Sequence, residues 1–266
     1  MIPARKRWGQ HFLVRGETAV KIVEAARLRP QETAVEVGPG DGALTRPLAD
    51  RAGRVLAIEI DPLRARALAE ELEPIRPVRI ICGDVLSRSF GEWLAEAGFP
   101  GPAVLVSNLP YNAATPILIA AIEEPRAILR VIATVQREVA RRLSAKPGDE
   151  AYGYLSVRVT ARARARVLFD LPPAAFRPRP KVVSSVVEIV PREDPPEAAV
   201  RDRALTLASH AFRMRRKTLA NALAPFGERR VWEEALANRG WGPRTRGEEL
   251  SLDDYLALAK NSSSAP

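Results

Sequence analysis

Short apolar runs that end in glycine, an acid or asparagine recur along the first 190 residues. Glu17 to Leu28 carries apolar positions at Ala19, Val20, Ile22, Val23 and Ala26, the spacing of an amphipathic helix. Runs at 33–37, 55–60, 78–82, 103–106 and 128–135 are too short and too continuously apolar for helices and read as buried strands. Arg137 to Leu143 reads as a helix, and 144–153, with Pro147-Gly148-Asp149, as an exposed loop. Between Leu155 and Phe169 two periods compete. Apolar residues at odd positions suit a strand, whereas the alanines and the Arg158/Arg162 spacing suit a helix, so a helix to about Ala163 and then a strand to Phe169 is expected. A proline-rich loop, 172–181, leads to a last strand, 184–190, expected to return antiparallel. The pattern then changes. Residues 191–197 have the composition of a linker, and helical spacing follows at 198–213, 217–223, 229–238 and 252–260, with Ser251 and Asp254 placed to cap the last helix. Two domains are expected, 1–190 with an open α/β sheet and 198–266 with helices alone.

The ends of the expected strands share a rim. The first runs into Gly38-Pro39-Gly40-Asp41-Gly42, the second into Glu59-Ile60-Asp61, the third into Gly83-Asp84 and the fourth into Asn108-Leu109-Pro110-Tyr111. Glycines between a strand and a helix let backbone N–H groups approach a ligand. Glu59 follows Gly40 by 19 residues, the separation at which a carboxylate meets a ribose diol in such sheets. Gly38, Gly40 and Ala43 also satisfy a dinucleotide pattern, which keeps a nicotinamide cofactor in view. Against it stand Pro39 inside the loop and the lack of a histidine–acid pair for hydride transfer. A second acid at a strand end, Asp84, suits an adenine amino group, and an acidic rim suits a sulfonium, so S-adenosylmethionine is preferred.

Asn108 draws the most specific chemistry. Pro110 biases Leu109 toward extended backbone, which leaves the Leu109 carbonyl free to stand beside the Asn108 side-chain oxygen. Two acceptors side by side match the two donors of an exocyclic amino group, and Tyr111 offers a face for a base. The plainer alternative is a turn that ends a strand, with Asn and Pro in their ordinary loop roles.

Charge names the partner class. The chain of 266 residues carries a net charge of +9 and a pI near 10.3. Its cations cluster at Arg5-Lys6-Arg7, Arg137 with Arg141-Arg142, Arg162 to Arg166, Arg177 to Lys181 and Arg213 to Lys217. A polyanion is the natural partner, because cations that neutralise phosphates release counterions; an arginine-rich but merely solvated surface is the alternative. One cysteine, Cys82, and two histidines, His11 and His210, leave little material for a metal site, and none is expected. No apolar run is long enough to span a bilayer, and the basic N-terminus lacks a signal-peptide core, so a cytoplasmic protein without membrane contact is expected.

These motifs occur in one order with Gly9-Gln10-His11-Phe12-Leu13, Val135-Gln136-Arg137-Glu138, Tyr152-Gly153-Tyr154-Leu155-Ser156-Val157, Phe176-Arg177-Pro178-Arg179-Pro180-Lys181 and Arg215-Arg216-Lys217-Thr218-Leu219. The chain thereby resembles the rRNA adenine N6,N6-dimethyltransferases, most closely the bacterial KsgA type that acts on small-subunit (16S) rRNA. The resemblance implies a Rossmann-like class I S-adenosylmethionine-dependent methyltransferase domain with a small all-α C-terminal domain that binds rRNA. It implies cofactor contacts at Gln10, His11, Leu13, Glu36, Gly38, Gly40, Glu59, Ile60, Asp84, Val85 and Asn108. It implies catalysis at Asn108, Leu109, Pro110 and Tyr111, with Tyr111 and Phe176 as stacking faces for the target adenine. From the residues alone, Phe176 reads as a hydrophobe that anchors a loop. His11 is a departure, since the family more often has Asn there. The implied partner is small-subunit rRNA in a pre-ribosomal particle, with a monomer as the simplest state. Two other readings stay open: an Erm-type enzyme that methylates 23S rRNA and confers macrolide resistance, and a ribosome-assembly factor that acts mainly by binding.

Overall fold

The computed structural model describes residues 11–74, 77–99 and 101–261. Gln10 and the cluster Arg5-Lys6-Arg7 lie outside them. The chain divides into two units, Met1–Ala140 with Ala165–Pro191, and Arg141–Arg164 with Arg192–Pro266.

The first unit begins with β1 (Phe12–Leu13) and α1 (Gly16–Ala25). Then come β2 (Thr33–Val37), α2 (Thr45–Ala49), β3 (Arg54–Glu59), α3 (Pro62–Leu72), β4 (Val78–Cys82), α4 (Phe90–Glu96), β5 (Ala103–Asn108), α5 (Ala114–Glu123) and β6 (Ile128–Gln136). Helix starts follow their local chemistry. The Asp61 side chain accepts from the Leu63 N–H with Pro62 in the first turn, and Ser89 with Glu92 forms a reciprocal cap on α4. After α6 (Arg137–Ser144) and α7 (Tyr154–Thr160) the chain returns to the sheet as β7 (Ala163–Leu171), a short β8 (Phe176–Arg177) and β9 (Ser184–Pro191).

Seven strands form one sheet in the order β4-β3-β2-β5-β6-β9-β7. The pairs β2/β3, β3/β4, β2/β5 and β5/β6 are parallel, and β9 runs antiparallel to β6 as expected. Parallel strands must be covered on both faces, and all five residues of β2 are buried. The order reverses between β2 and β5. A crevice opens at such a switch point, beyond the carboxyl ends of the strands. That places the Gly38 turn beside the Asn108 loop.

The second unit is helical among the described residues. It contains α7 and then α8 (Ala198–Arg213), α9 (Leu219–Ala222), α10 (Arg229–Ala237) and α11 (Leu252–Asn261). Ser251 and Asp254 exchange hydrogen bonds at the start of α11, as their spacing suggests. The expected boundary shifts here. Residues 141–164, expected in the first domain, join the second unit, because Tyr152, Val157 and Ala161 share a hydrophobic cluster with Leu207, Ala208 and Tyr255. Their apolar side is filled by residues some 50 to 100 positions later, a pairing that local periodicity does not carry.

Candidate functional site

Gly38 and Gly40 shape the turn after β2, at φ +69° and +58°. Side chains other than glycine are strained at such angles. The Gly38 N–H donates to the Ile58 carbonyl (2.8 Å), which ties the turn to β3. A Cβ on Gly40 would meet the Phe12 ring at 2.5 Å, so the space over this α-carbon belongs to an aromatic ring of the chain itself.

Each carboxylate oxygen of Glu59 already accepts one backbone N–H, from Gly40 (2.9 Å) and Asp61 (3.0 Å). The residue is buried, and burial raises its pKa against those bonds and the charge of Arg64. A carboxylate oxygen has two acceptor sites, so a ribose diol still has a place on each. Arg64 is buried too; it pairs with Asp41 of the glycine turn and lies 4.4 Å from the Phe12 ring centroid. Glu36 sits behind the turn and accepts from the Thr45 hydroxyl (2.7 Å). Burial pushes its carboxyl up to about 8; the Thr45 bond opposes the shift, and the charge of Glu59 adds to it. Glu36 thus ties β2 to the start of α2 through Thr45.

Asp84 and Ile60 are exposed on the rim, while Val85 is buried. The Asp84 Oδ1 accepts from the Leu86 N–H (3.0 Å), and the residue is exposed.

Asn108 ends β5. Its Nδ2 donates to the His11 carbonyl (2.7 Å), which sets the amide orientation. Its Oδ1 is buried and has no hydrogen-bond partner among the described residues. An orphaned buried acceptor costs about 1–3 kcal/mol and asks for a donor. The Leu109 N–H donates to Thr134 of β6 (3.2 Å), which anchors the loop. The preceding hydroxyl, Ser107, donates to the Val37 carbonyl (2.7 Å) and links the two rim loops.

A strap from the N-terminus covers these groups. Phe12 pairs with Arg177 and Leu13 with Phe176 in a two-stranded ladder, and the Val14 N–H donates to the Ala175 carbonyl. His11 Nδ1–H donates to the Pro178 carbonyl (2.6 Å), and its ring lies against Tyr111 with centroids 5.0 Å apart. The cavity among His11, Phe12, Gly38, Glu59, Ile60, Asn108, Leu109 and Pro110 measures about 50 Å³. A larger hollow of about 590 Å³, among Leu94, Gly101 and Pro125, lies at the opposite strand ends, away from these converging polar groups.

Among the residues expected in the site, Gly38, Glu59, Ile60, Asn108, Leu109, Pro110 and His11 meet in one crevice. Phe176 does not. It is 2% exposed and belongs to the hydrophobic cluster that includes Leu13, Val106, Leu171 and Val186, so it presents no open face to a base. Leu13 is buried in that same cluster. Phe12, Arg64 and Ser184 were not singled out in the sequence. Phe12 lies inside the Gln10–Leu13 motif and could have been found there; Arg64 carries no local signal.

A family model described as ribosomal RNA adenine dimethylase matches residues 1–262. The chain belongs to this family. It is 40% identical over 259 residues to "Ribosomal RNA small subunit methyltransferase A" of Xanthomonas axonopodis pv. citri, covering 97% of this chain and 95% of that one. With the protein of the same description from Rubrobacter xylanophilus it shares 43% over 255 residues, 96% and 93% of the two chains. Among solved structures, 23S rRNA methyltransferase ErmE matches at a TM-score of 0.74 and 28% identity, over 95% of this chain and all of that one. A dimethyladenosine transferase from Plasmodium falciparum matches at 0.75 and 21% identity, covering 93% and 96%, and shares the fold. The family member described here is therefore a methyltransferase with a Rossmann-like catalytic unit and a helical C-terminal unit.

Proposed function

We propose that the chain dimethylates the N6 amino groups of adjacent adenines in small-subunit rRNA, with S-adenosylmethionine as methyl donor. The orphaned Asn108 Oδ1 carries this reading, buried at the switch point beside the glycine turn and Glu59. The donor set suits the cofactor: Glu59 for ribose hydroxyls, the exposed Asp84 carboxylate for an adenine amino group, and Gly38 and Gly40 for close backbone approach. When bound, S-adenosylmethionine supplies a methyl group on a sulfonium centre. Asn108 Oδ1 and the Leu109 carbonyl accept the two N6 hydrogens of the target adenine. That draws the nitrogen lone pair out of ring conjugation and stabilises the positive charge that develops on N6. The loop's fixed position supplies orientation, and the proton leaves after attack, so no strong base is needed. After one transfer the remaining N–H still meets an acceptor, which permits the second.

The target base must be unstacked to reach this depth, and Tyr111 supplies the face it meets. Exposed Arg177, Arg179 and Lys181 on the strap loop, with Arg213, Arg215, Arg216 and Lys217 in the helical unit, suit a phosphate backbone. The proposed setting is a pre-ribosomal particle in the cytoplasm, met by a monomer. Identity near 40% to small-subunit methyltransferases, against 28% to ErmE, supports the small-subunit target.

The test is methyl transfer from labelled S-adenosylmethionine to undermethylated small and large subunits in parallel, with the nucleoside identified after digestion. Dimethyladenosine in the small subunit alone is expected. Label in 23S rRNA would move the chain to the resistance enzymes, and tight binding without label would make it an assembly factor.

A further inference from the structure

The loop after β5 has a second anchor, on a strand that is not its neighbour. The Tyr111 hydroxyl lies 2.5 Å from Ser184 Oγ. Ser184 is fully buried and opens β9, in register with Gln136 at the end of β6. β6 lies between β5 and β9 in the sheet, so this bond ties the loop after β5 to a strand two places away. The two ends of this bond differ in freedom. Ser184 sits in a strand paired on both sides, whereas Tyr111 sits on a loop held through Leu109 and Asn108. The hydroxyl bond therefore sets the tilt of the ring, and His11 packs against it. Burial holds the phenol's pKa above the ordinary value, and the Ser184 bond opposes that shift. The next residue, Ser185, is equally buried but turns its hydroxyl to Asp170 (2.6 Å), away from this ring.

We infer that Ser184 is a positioning residue for the target adenine: through Tyr111 it fixes the stacking plane that keeps N6 aligned with Asn108 across both methyl transfers. The inference rests on the proposed adenine dimethylation. A ring free to tilt still admits the base but holds it less well after the first methyl has replaced one hydrogen bond. Loss of Ser184 should therefore weigh on the second transfer more than on cofactor binding.

The experiment compares wild type, Ser184→Ala, Tyr111→Phe, the double variant and Ser185→Ala on undermethylated small subunits. It reads kcat/KM for the particle, KM for S-adenosylmethionine and the ratio of mono- to dimethyladenosine, with thermal unfolding as the check on folding. Ser184→Ala and Tyr111→Phe should each lower kcat/KM about tenfold and accumulate monomethyladenosine, with cofactor KM within about twofold. The double variant should match the singles, because both remove one bond. Ser185→Ala should keep the wild-type product ratio. A wild-type ratio in Ser184→Ala, an equal shift in Ser185→Ala, or losses that multiply in the double variant would overturn the inference. If Ser184→Ala does not fold, a wild-type ratio in Tyr111→Phe overturns it alone. Wild type that forms no dimethyladenosine would instead remove the proposed function.

Discussion

The crevice has a floor and a cover built by different means. The floor comes from the parallel sheet: each of Gly38, Glu59, Asp84 and Asn108 ends or follows a strand whose register with its neighbours is set by continuous apolar runs. The cover comes from two segments far apart in sequence, His11–Val14 and Ala175–Pro178, joined by a ladder of two residue pairs and two further hydrogen bonds. A floor of this kind holds its groups without help, because moving one strand end would break a buried ladder. The cover is held by side-chain contacts instead: Asn108 Nδ2 donates to the His11 carbonyl, Phe12 lies over Gly40 and Arg64, and Leu13 and Phe176 reach into the core cluster. Chemistry that needs fixed acceptors belongs on the floor.

Phe176 tests that division most severely, because it lies in the cover by sequence and in the core by packing. Phe176→Ala should cost about 3–5 kcal/mol of stability in denaturant unfolding, as for other buried phenylalanines. A variant of near wild-type stability that loses only RNA-dependent turnover would restore Phe176 to a stacking role and break the contrast. Asn108→Ala probes the floor. Removal of a preorganised acceptor should lower kcat by roughly 10²–10³-fold, about 2.7–4 kcal/mol, while binding of pre-ribosomal particles stays nearly intact. Near-normal transfer by that variant would show that the orphaned oxygen is not where the amino group goes.

The same contrast explains what could be read beforehand. Strands β2 and β4 fall on the residues expected, and helix α8 spans 198–213 as expected, since each is written in local spacing. The rim followed, because strand ends are where such sheets bind. What escaped depends on partners far along the chain. Tyr152 and Val157 pack with residues past 200, so α7 left the catalytic unit. Phe176 is paired with Leu13, 163 positions earlier, and Arg64 meets Asp41 through the fold alone. Phe176 is buried in the core cluster, and that burial depends on where Leu13 lies, which local sequence does not carry.

Glu36 sharpens the contrast at the smallest scale, since it is buried in the strand that runs into the glycine turn. Its carboxyl, pushed up to about 8 by burial, binds a proton in the folded chain at pH values where the unfolded chain has released it. The folded state thus holds more protons between about pH 4.5 and 8, and stability falls as pH rises through that window, at no more than about 1.4 kcal/mol per unit. Glu36→Gln keeps a neutral group that can still accept from Thr45, so its stability should vary less with pH. Unfolding free energies measured from pH 6 to 9 should show wild type losing on the order of 2–3 kcal/mol more than the variant. Parallel curves would mean that Glu36 is already ionised at pH 6 and that the Thr45 bond outweighs its burial. In that case a buried negative charge, not a neutral acid, would stand behind the glycine turn, and it would add to the pull of Glu59 on a cationic cofactor.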